Sequence, residues 1–133
     1  MRSIWASDDA RKYVAEFFGT FCLVLAGTGA IVVNETTNGA VTHVGISLTF
    51  GFIVMAMIHS LGSVSGCHIN PAVTIAFFVA GRFKAGHVIP YLASQLTGAC
   101  LASFALKWMF PLSTNLGATI PAGHWAQSFV LEF

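Results

Sequence analysis

Apolar residues along this chain collect in three long runs and one short one. The first runs from Tyr13 to Val33 and is broken only by Glu16. The second, Val44 to Gly62, has His59 as its only ionisable group. The third spans about Val88 to Phe110 and carries Lys107 near its end. They hold 21, 19 and 23 residues, and helices of that length cross a hydrocarbon core of about 30 Å. The short run, Pro71 to Ala80, would rise only about 15 Å as a helix, half a bilayer. A further apolar helix starts near Trp125, and the sequence ends within it at Phe133. The pattern predicts an all-α membrane protein with three transmembrane helices (about 13–33, 44–62 and 88–110). A re-entrant loop and half-helix fall over 63–80, and the start of a fourth helix over 125–133. A signal peptide would also place Arg11-Lys12 before an apolar run and small residues after it. Glu16 inside the run and the two later spans argue against that.

Composition agrees with lipid as the main solvent. Of 133 residues, 56% are hydrophobic and 8% charged, against about 25% charged in an average soluble chain. The mean hydropathy is +0.77. A formal net charge of +1 leaves no footprint for nucleic acid. Cys22, Cys67 and Cys100 are odd in number and lack metal-ligand spacing, so neither a disulfide framework nor a metal site is expected. The five His, at 43, 59, 68, 87 and 124, fall in separate segments. No nucleophile–base pair appears, so no catalytic residue, enzyme activity or cofactor is expected.

Charge sets an orientation. If the long runs cross and the short one dips in and returns, Arg2, Arg11, Lys12, Arg82 and Lys84 share one side. The positive-inside rule then makes residues 1–12 and the 63–87 region cytoplasmic. Lys107 is close enough to its helix end to snorkel. The sequon Asn34-Glu35-Thr36 would lie in the outer loop.

The stretch Ser65-Gly66-Cys67-His68-Ile69-Asn70-Pro71-Ala72-Val73-Thr74 suits a short segment that enters a membrane. Pro71 fits a first helical position, where its missing N–H costs nothing. Asn70 precedes it as a cap, and Gly66 permits a left-handed backbone. Extended residues before the helix would leave carbonyls free to accept hydrogen bonds, and the helix N-terminus would bring a partial positive charge to the midplane. Acceptors that lead to amide donors suit a neutral hydrogen-bonding molecule and oppose a cation. Asn-Pro alone is a common turn dipeptide. Its place in a ten-residue apolar run between two spans is what marks it. A secondary transporter would also use a broken helix, but it needs a coupling carboxylate, and only Glu16 lies in a span.

Residues 61–74, LGSVSGCHINPAVT, resemble the first Asn-Pro-Ala loop of the aquaporin (major intrinsic protein) family. The segment Ala15-Glu16-Phe17-Phe18-Gly19-Thr20-Phe21 resembles that family's first helix. Pro90-Tyr91, Gln95 and Gly98-Ala99 resemble its third. The resemblance runs from about Lys12 to the end. The family fold has two inverted repeats, each of three helices and a half-helix, whose Asn-Pro-Ala motifs meet at the midplane. Residues 13–133 would then be the first repeat, with Leu131-Glu132-Phe133 echoing Ala15-Glu16-Phe17 at the start of the second.

The resemblance implies a channel for passive permeation of water and/or small neutral solutes, from a chain that looks like a truncated half. Two further readings follow from it. Gly51 to Ile58 resembles the nodulin-like branch, which carries glycerol and metalloid acids. A non-conducting truncated subunit is the other. Residue by residue, Asn70 would be the capping, water-orienting amide, with Pro71 and Ala72 completing the motif. Gly66, Cys67 and His68 would line the pore with backbone carbonyls, the His68 ring fixing the turn. Glu16 would accept hydrogen bonds from the loop. Phe50, twenty residues before Asn70, would fall at the second-helix position of the selectivity filter. Cys67 stands where the family usually has Ala, so mercurials should block. Gly19, Gly27, Gly29, Gly51, Gly98, Ala99 and Ala102 would allow close helix approach. Implied partners are membrane lipid, water, small neutral solutes and other copies of the chain in a homo-tetramer. The implied location is a plasma or bacterial inner membrane, multi-pass, with the N-terminus cytoplasmic.

Overall fold

The computed structural model describes residues 7–121 and 123–132. Five helices follow in order: α1 Ser7–Thr36, α2 Thr42–Ser65, α3 Pro71–Val79, α4 Ala85–Met109 and α5 Trp125–Glu132. Three of them, α1, α2 and α4, are long and apolar enough to cross a membrane. Each extends past its apolar run at one or both ends. The clearest case is α1, which begins six residues before Tyr13. The apolar count misses such turns because they are polar yet helix-compatible: Asp8 and Asp9 sit in the first turn, where the helix dipole favours acids.

The core is built around α1, which packs against both α2 and α4, while α3 packs on α4. Glycine makes two of these contacts possible. The backbone of Gly98 on α4 lies against the Phe17 carbonyl of α1, with no room for a Cβ. The Phe50 ring of α2 packs against Gly27 of α1, again with no room for a Cβ. On α4 the buried residues Tyr91, Gln95, Gly98, Ala102 and Leu106 recur at three- and four-residue spacing, the stripe that one helix face presents.

The chain passes from α1 to α2 through a tight turn. Asn34 lies in the last turn of α1, and not in a loop. Its carbonyl accepts from Gly39 N at 2.8 Å and its Oδ1 from Thr42 N at 2.8 Å. The sequon is thus held in helix and turn. After α4, the Lys107 ammonium donates to the carbonyls of Pro111 and Ser113, both at 2.9 Å. Lys107 thereby ties the following loop to the end of α4. Gly117, at φ 71°, presses that loop onto the Thr28 carbonyl of α1. Among the described residues α5 packs on no other helix. The last residue of the expected fourth helix, Phe133, lies outside the described residues.

Much of the apolar surface faces outward. Trp108 is 85% exposed and Leu112 93%, and on α3 Val73, Ile75, Phe77 and Phe78 are exposed. In water such a surface would be unfavourable; lipid or further protein is its natural cover.

Candidate functional site

Helix α2 stops at Gly66, whose φ of 86° turns the backbone left-handed while its N–H reaches the Gly62 carbonyl at 3.0 Å. Cys67 (φ 49°) and Ile69 (φ 42°) also take positive φ. For side-chain-bearing residues this conformation costs on the order of 1–3 kcal/mol each and persists only where the surroundings impose it.

Here the surroundings are one carboxylate. Glu16, fully buried in α1, accepts four hydrogen bonds. Oε1 takes Ser65 Oγ at 2.6 Å and His68 N at 2.9 Å. Oε2 takes Ile69 N at 2.7 Å and Gln95 Nε2 at 2.8 Å. Ser65 Oγ in turn accepts from Cys67 N at 3.0 Å. Three successive loop N–H groups are therefore tied to the Glu16–Ser65 pair. Four donors on two oxygens fill the acceptor capacity of a carboxylate, without any cation in the set.

The loop's acceptors are left over. Among the described residues no hydrogen bond ends on the carbonyls of Gly66, Cys67, His68 or Ile69. Backbone carbonyls left without a protein partner remain open to a visiting donor such as water. Asn70 follows in extended conformation (φ −154°) and caps α3, its Oδ1 accepting from Ala72 N at 2.8 Å. Pro71 occupies the first turn, and the side chains of Asn70 and Ala72 are exposed. The capping bond uses only the amide oxygen of Asn70, and among the described residues neither of its N–H donors has a partner.

A second tier holds this arrangement. Tyr91 donates its hydroxyl to the Ser65 carbonyl at 2.8 Å. Thr74, fully buried, donates to the Asn70 carbonyl at 3.2 Å. It also receives Gln95 Nε2 at 2.9 Å and lies 3.0 Å from His68 Nδ1. With the Thr74 proton on Asn70, Nδ1 is the donor of that last pair. The His68 ring stacks on Phe77 (4.9 Å between centroids) and also meets Phe83 (4.7 Å) and Tyr91 (5.2 Å), which touch each other. The His68 side chain thus faces protein while its carbonyl is unpaired. Gln95 Oε1 is buried without a partner among the described residues, an acceptor suited to a buried water.

The structure brings Glu16, Gly66, Cys67, His68, Asn70, Pro71 and Ala72 together. Phe50 stands apart, fifteen residues before the end of α2, about 22 Å along the helix axis. Ser65, Thr74, Tyr91 and Gln95 belong to the site although sequence reasoning gave none of them a role. The available signal was Gln95 itself, a polar residue deep in an apolar run, with Tyr91 one turn away on the same face.

After α3 the chain returns to the end of the bundle it left. Arg82, Phe83 and Lys84 line one cleft with Lys12, Val64 and Ser65. Tyr13 Oη lies 2.9 Å from His87 Nδ1, joining the starts of α1 and α4. Arg11 and Lys12 border the neighbouring cleft at this end with Asp8 and Ser63.

Known proteins carry the same pattern. The family profile described as "Major intrinsic protein" matches residues 3–133. The chain is 44% identical over 124 residues to aquaporin NIP1-1 of Oryza sativa subsp. japonica, covering 92% of this chain and 44% of that protein. It is 46% identical over 125 residues to aquaporin NIP1-3 of the same organism, covering 93% and 44%. To aquaporin NIP6-1 of Arabidopsis thaliana it is 44% identical over 123 residues, covering 92% and 40%. The chain therefore spans less than half the length of these curated relatives. By its profile match and these identities, the chain belongs to the major intrinsic protein family.

Proposed function

We propose that this chain contributes one half of a passive membrane channel for water and small neutral solutes, with residues 66–72 lining its narrow path. The observation that carries the reading is the loop Gly66–Ile69. Gly62 takes the N–H of Gly66, and Ser65 and Glu16 take those of Cys67, His68 and Ile69, which leaves a row of carbonyl acceptors. That row ends at the Asn70 amide and the N-terminus of α3. Water passes such a row by exchanging one hydrogen bond for the next. A cation meets the positive end of the α3 dipole, and a proton meets donors that orient water against relay.

The finer assignments are part of the proposal. Asn70 orients the permeant, Pro71 and Ala72 meet the second repeat, and Phe50 narrows the path from α2. Residues 1–12 are cytoplasmic, since Arg11, Lys12, Arg82 and Lys84 gather at one end and basic residues favour that side. The chain works in a cell membrane as part of a homo-oligomer, a tetramer by family resemblance.

A wider permeant range, including glycerol and metalloid acids, is the second reading. It is supported by the likeness of Gly51–Ile58 to the nodulin-like branch and by relatives that all bear the name aquaporin NIP. Osmotic swelling of proteoliposomes tests both. Faster water entry than in empty vesicles, lost in Asn70→Asp, supports the channel. Faster glycerol or boric acid entry in the same vesicles supports the wider range.

A further inference from the structure

We infer that the basic end of the bundle holds a binding site for a phosphate-bearing anion, either a lipid headgroup or free phosphate. A cavity of about 250 Å³ opens there between the start of α1, the end of α2 and the turn from α3 into α4. Its lining includes Lys12, Ser65, Arg82, Lys84, His87 and Tyr91. The volume lies below the range of about 300–1,000 Å³ typical of drug-sized ligands and suits a small headgroup. The positive-inside bias explains why basic residues gather at one end. It does not explain why they converge on one cavity, nor why part of their charge is left uncompensated.

The acids nearby neutralise only part of that charge. Lys12 pairs with Asp9 at 2.9 Å, and His87 Nε2 lies 3.9 Å from the same Asp9 oxygen. His87 Nδ1 is engaged with Tyr13. Asp8 lines the adjoining cleft with Arg11 and Lys12. Among the described residues Arg82 and Lys84 make no ion pair and no side-chain hydrogen bond. Both are exposed, two residues apart, in the turn that follows α3. A guanidinium fork and an ammonium match phosphate oxygens, and basic pockets between transmembrane helices on the cytoplasmic side, where the proposed orientation puts this end, take anionic headgroups. The cavity floor has a direct link to the site described above. Tyr91 holds the Ser65 carbonyl, and Ser65 holds Glu16. An anion seated there rests against the groups that fix loop 66–70.

The test is protection of Lys84 from an amine acylating reagent, read by peptide mass spectrometry on the folded chain in dodecyl maltoside micelles. One arm adds phosphatidylglycerol, a second adds phosphatidylcholine, and a third adds inorganic phosphate to phosphatidylcholine micelles. Slowing of Lys84 by phosphatidylglycerol but not by phosphate identifies a headgroup site. Slowing by inorganic phosphate identifies a site that free phosphate fills. In either case Lys107, at the far end of α4, reacts at an unchanged rate. Arg82→Gln raises the concentration for half-protection by about fivefold, the weight of one basic residue near an anionic surface. Arg11→Gln, outside the cavity lining, leaves it within about twofold. No slowing in any arm overturns the proposal. So does slowing that Arg82→Gln leaves intact, since that is the field of the whole micelle and not a site. The measurements on the unaltered chain stand even if a variant fails to fold.

Discussion

Gln95 donates its side-chain amide to Glu16 at 2.8 Å, across 79 positions of sequence. The bond joins α4 to α1 inside the span, at the carboxylate that also holds the backbone of His68 and Ile69. A carboxylate in this place works because it only accepts, and every group that faces it donates.

Replacing that carboxylate by an amide should therefore loosen the loop. Glu16→Gln offers an NH2 group where one oxygen accepted two donors. At least one of Ser65 Oγ, His68 N, Ile69 N or Gln95 Nε2 loses its acceptor. A buried unsatisfied polar group costs about 1–3 kcal/mol. The expected result is a lower unfolding midpoint in detergent and faster hydrogen exchange at the His68 and Ile69 amides. Unchanged exchange at both amides would show that Glu16 does not hold the loop.

Helix contact between α1 and α4 depends on a missing side chain. A methyl at position 98 would meet the Phe17 carbonyl, and backbone cannot step aside as a flexible side chain can. Gly98→Ala should destabilise the chain by about 1–3 kcal/mol, the range for overpacking. Gly51→Ala, where nothing lies within 4 Å of the new methyl, serves as the control and should change the midpoint little.

How far the sequence disclosed this molecule can be judged on these residues. The long helices were visible as apolar runs, and the half-helix as a run too short to cross. Asn70-Pro71 marked its start by cap chemistry together with its place at the head of that short run between two spans. Glu16 could be singled out as a carboxylate inside a span, but its role came from family resemblance. Nothing in the spacing says that its partners lie 49, 52, 53 and 79 residues away. Long-range pairing arises from tertiary packing, which periodicity does not encode. Tyr91 and Thr74 were missed for that reason. The positive φ of Cys67 and Ile69 was also hidden, since neither residue type favours it. Lys107 was read from its position near a helix end, and its bonds to two carbonyls of the following loop could not be seen from that position.

The contact between Phe50 and Gly27 can be tested as a pair. A methyl on Gly27 would collide with the Phe50 ring. Gly27→Ala should cost about 1–3 kcal/mol with Phe50 present and clearly less in the Phe50→Ala background, a coupling that a double-mutant cycle of unfolding midpoints would measure. If Phe50 also narrows the path, Phe50→Ala raises glycerol entry relative to water entry. An unaltered ratio assigns Phe50 to packing alone.

Cys67 lies within the loop, 7% exposed, with its N–H on Ser65. A mercurial bound to its sulfur would add bulk beside the carbonyl row. Water entry through a full-length channel that contains this half should fall on mercurial treatment and recover with a thiol. The Cys67→Ala form should resist. Equal sensitivity in the Cys67→Ala form would move the reactive thiol elsewhere.

The most direct test of the channel assignment is osmotic water permeability by stopped-flow light scattering. The assay compares vesicles carrying the 133-residue chain with vesicles carrying a fusion in which this chain replaces the matching 44% of the rice aquaporin NIP1-1. The account predicts that the fusion admits water faster than empty vesicles. Asn70→Asp should abolish the excess without lowering the unfolding midpoint, because an Asp oxygen still caps Ala72 N while the two amide donors are lost and a charge is gained. A folded fusion with no excess permeability, or an Asn70→Asp form as permeable as its parent, would contradict it.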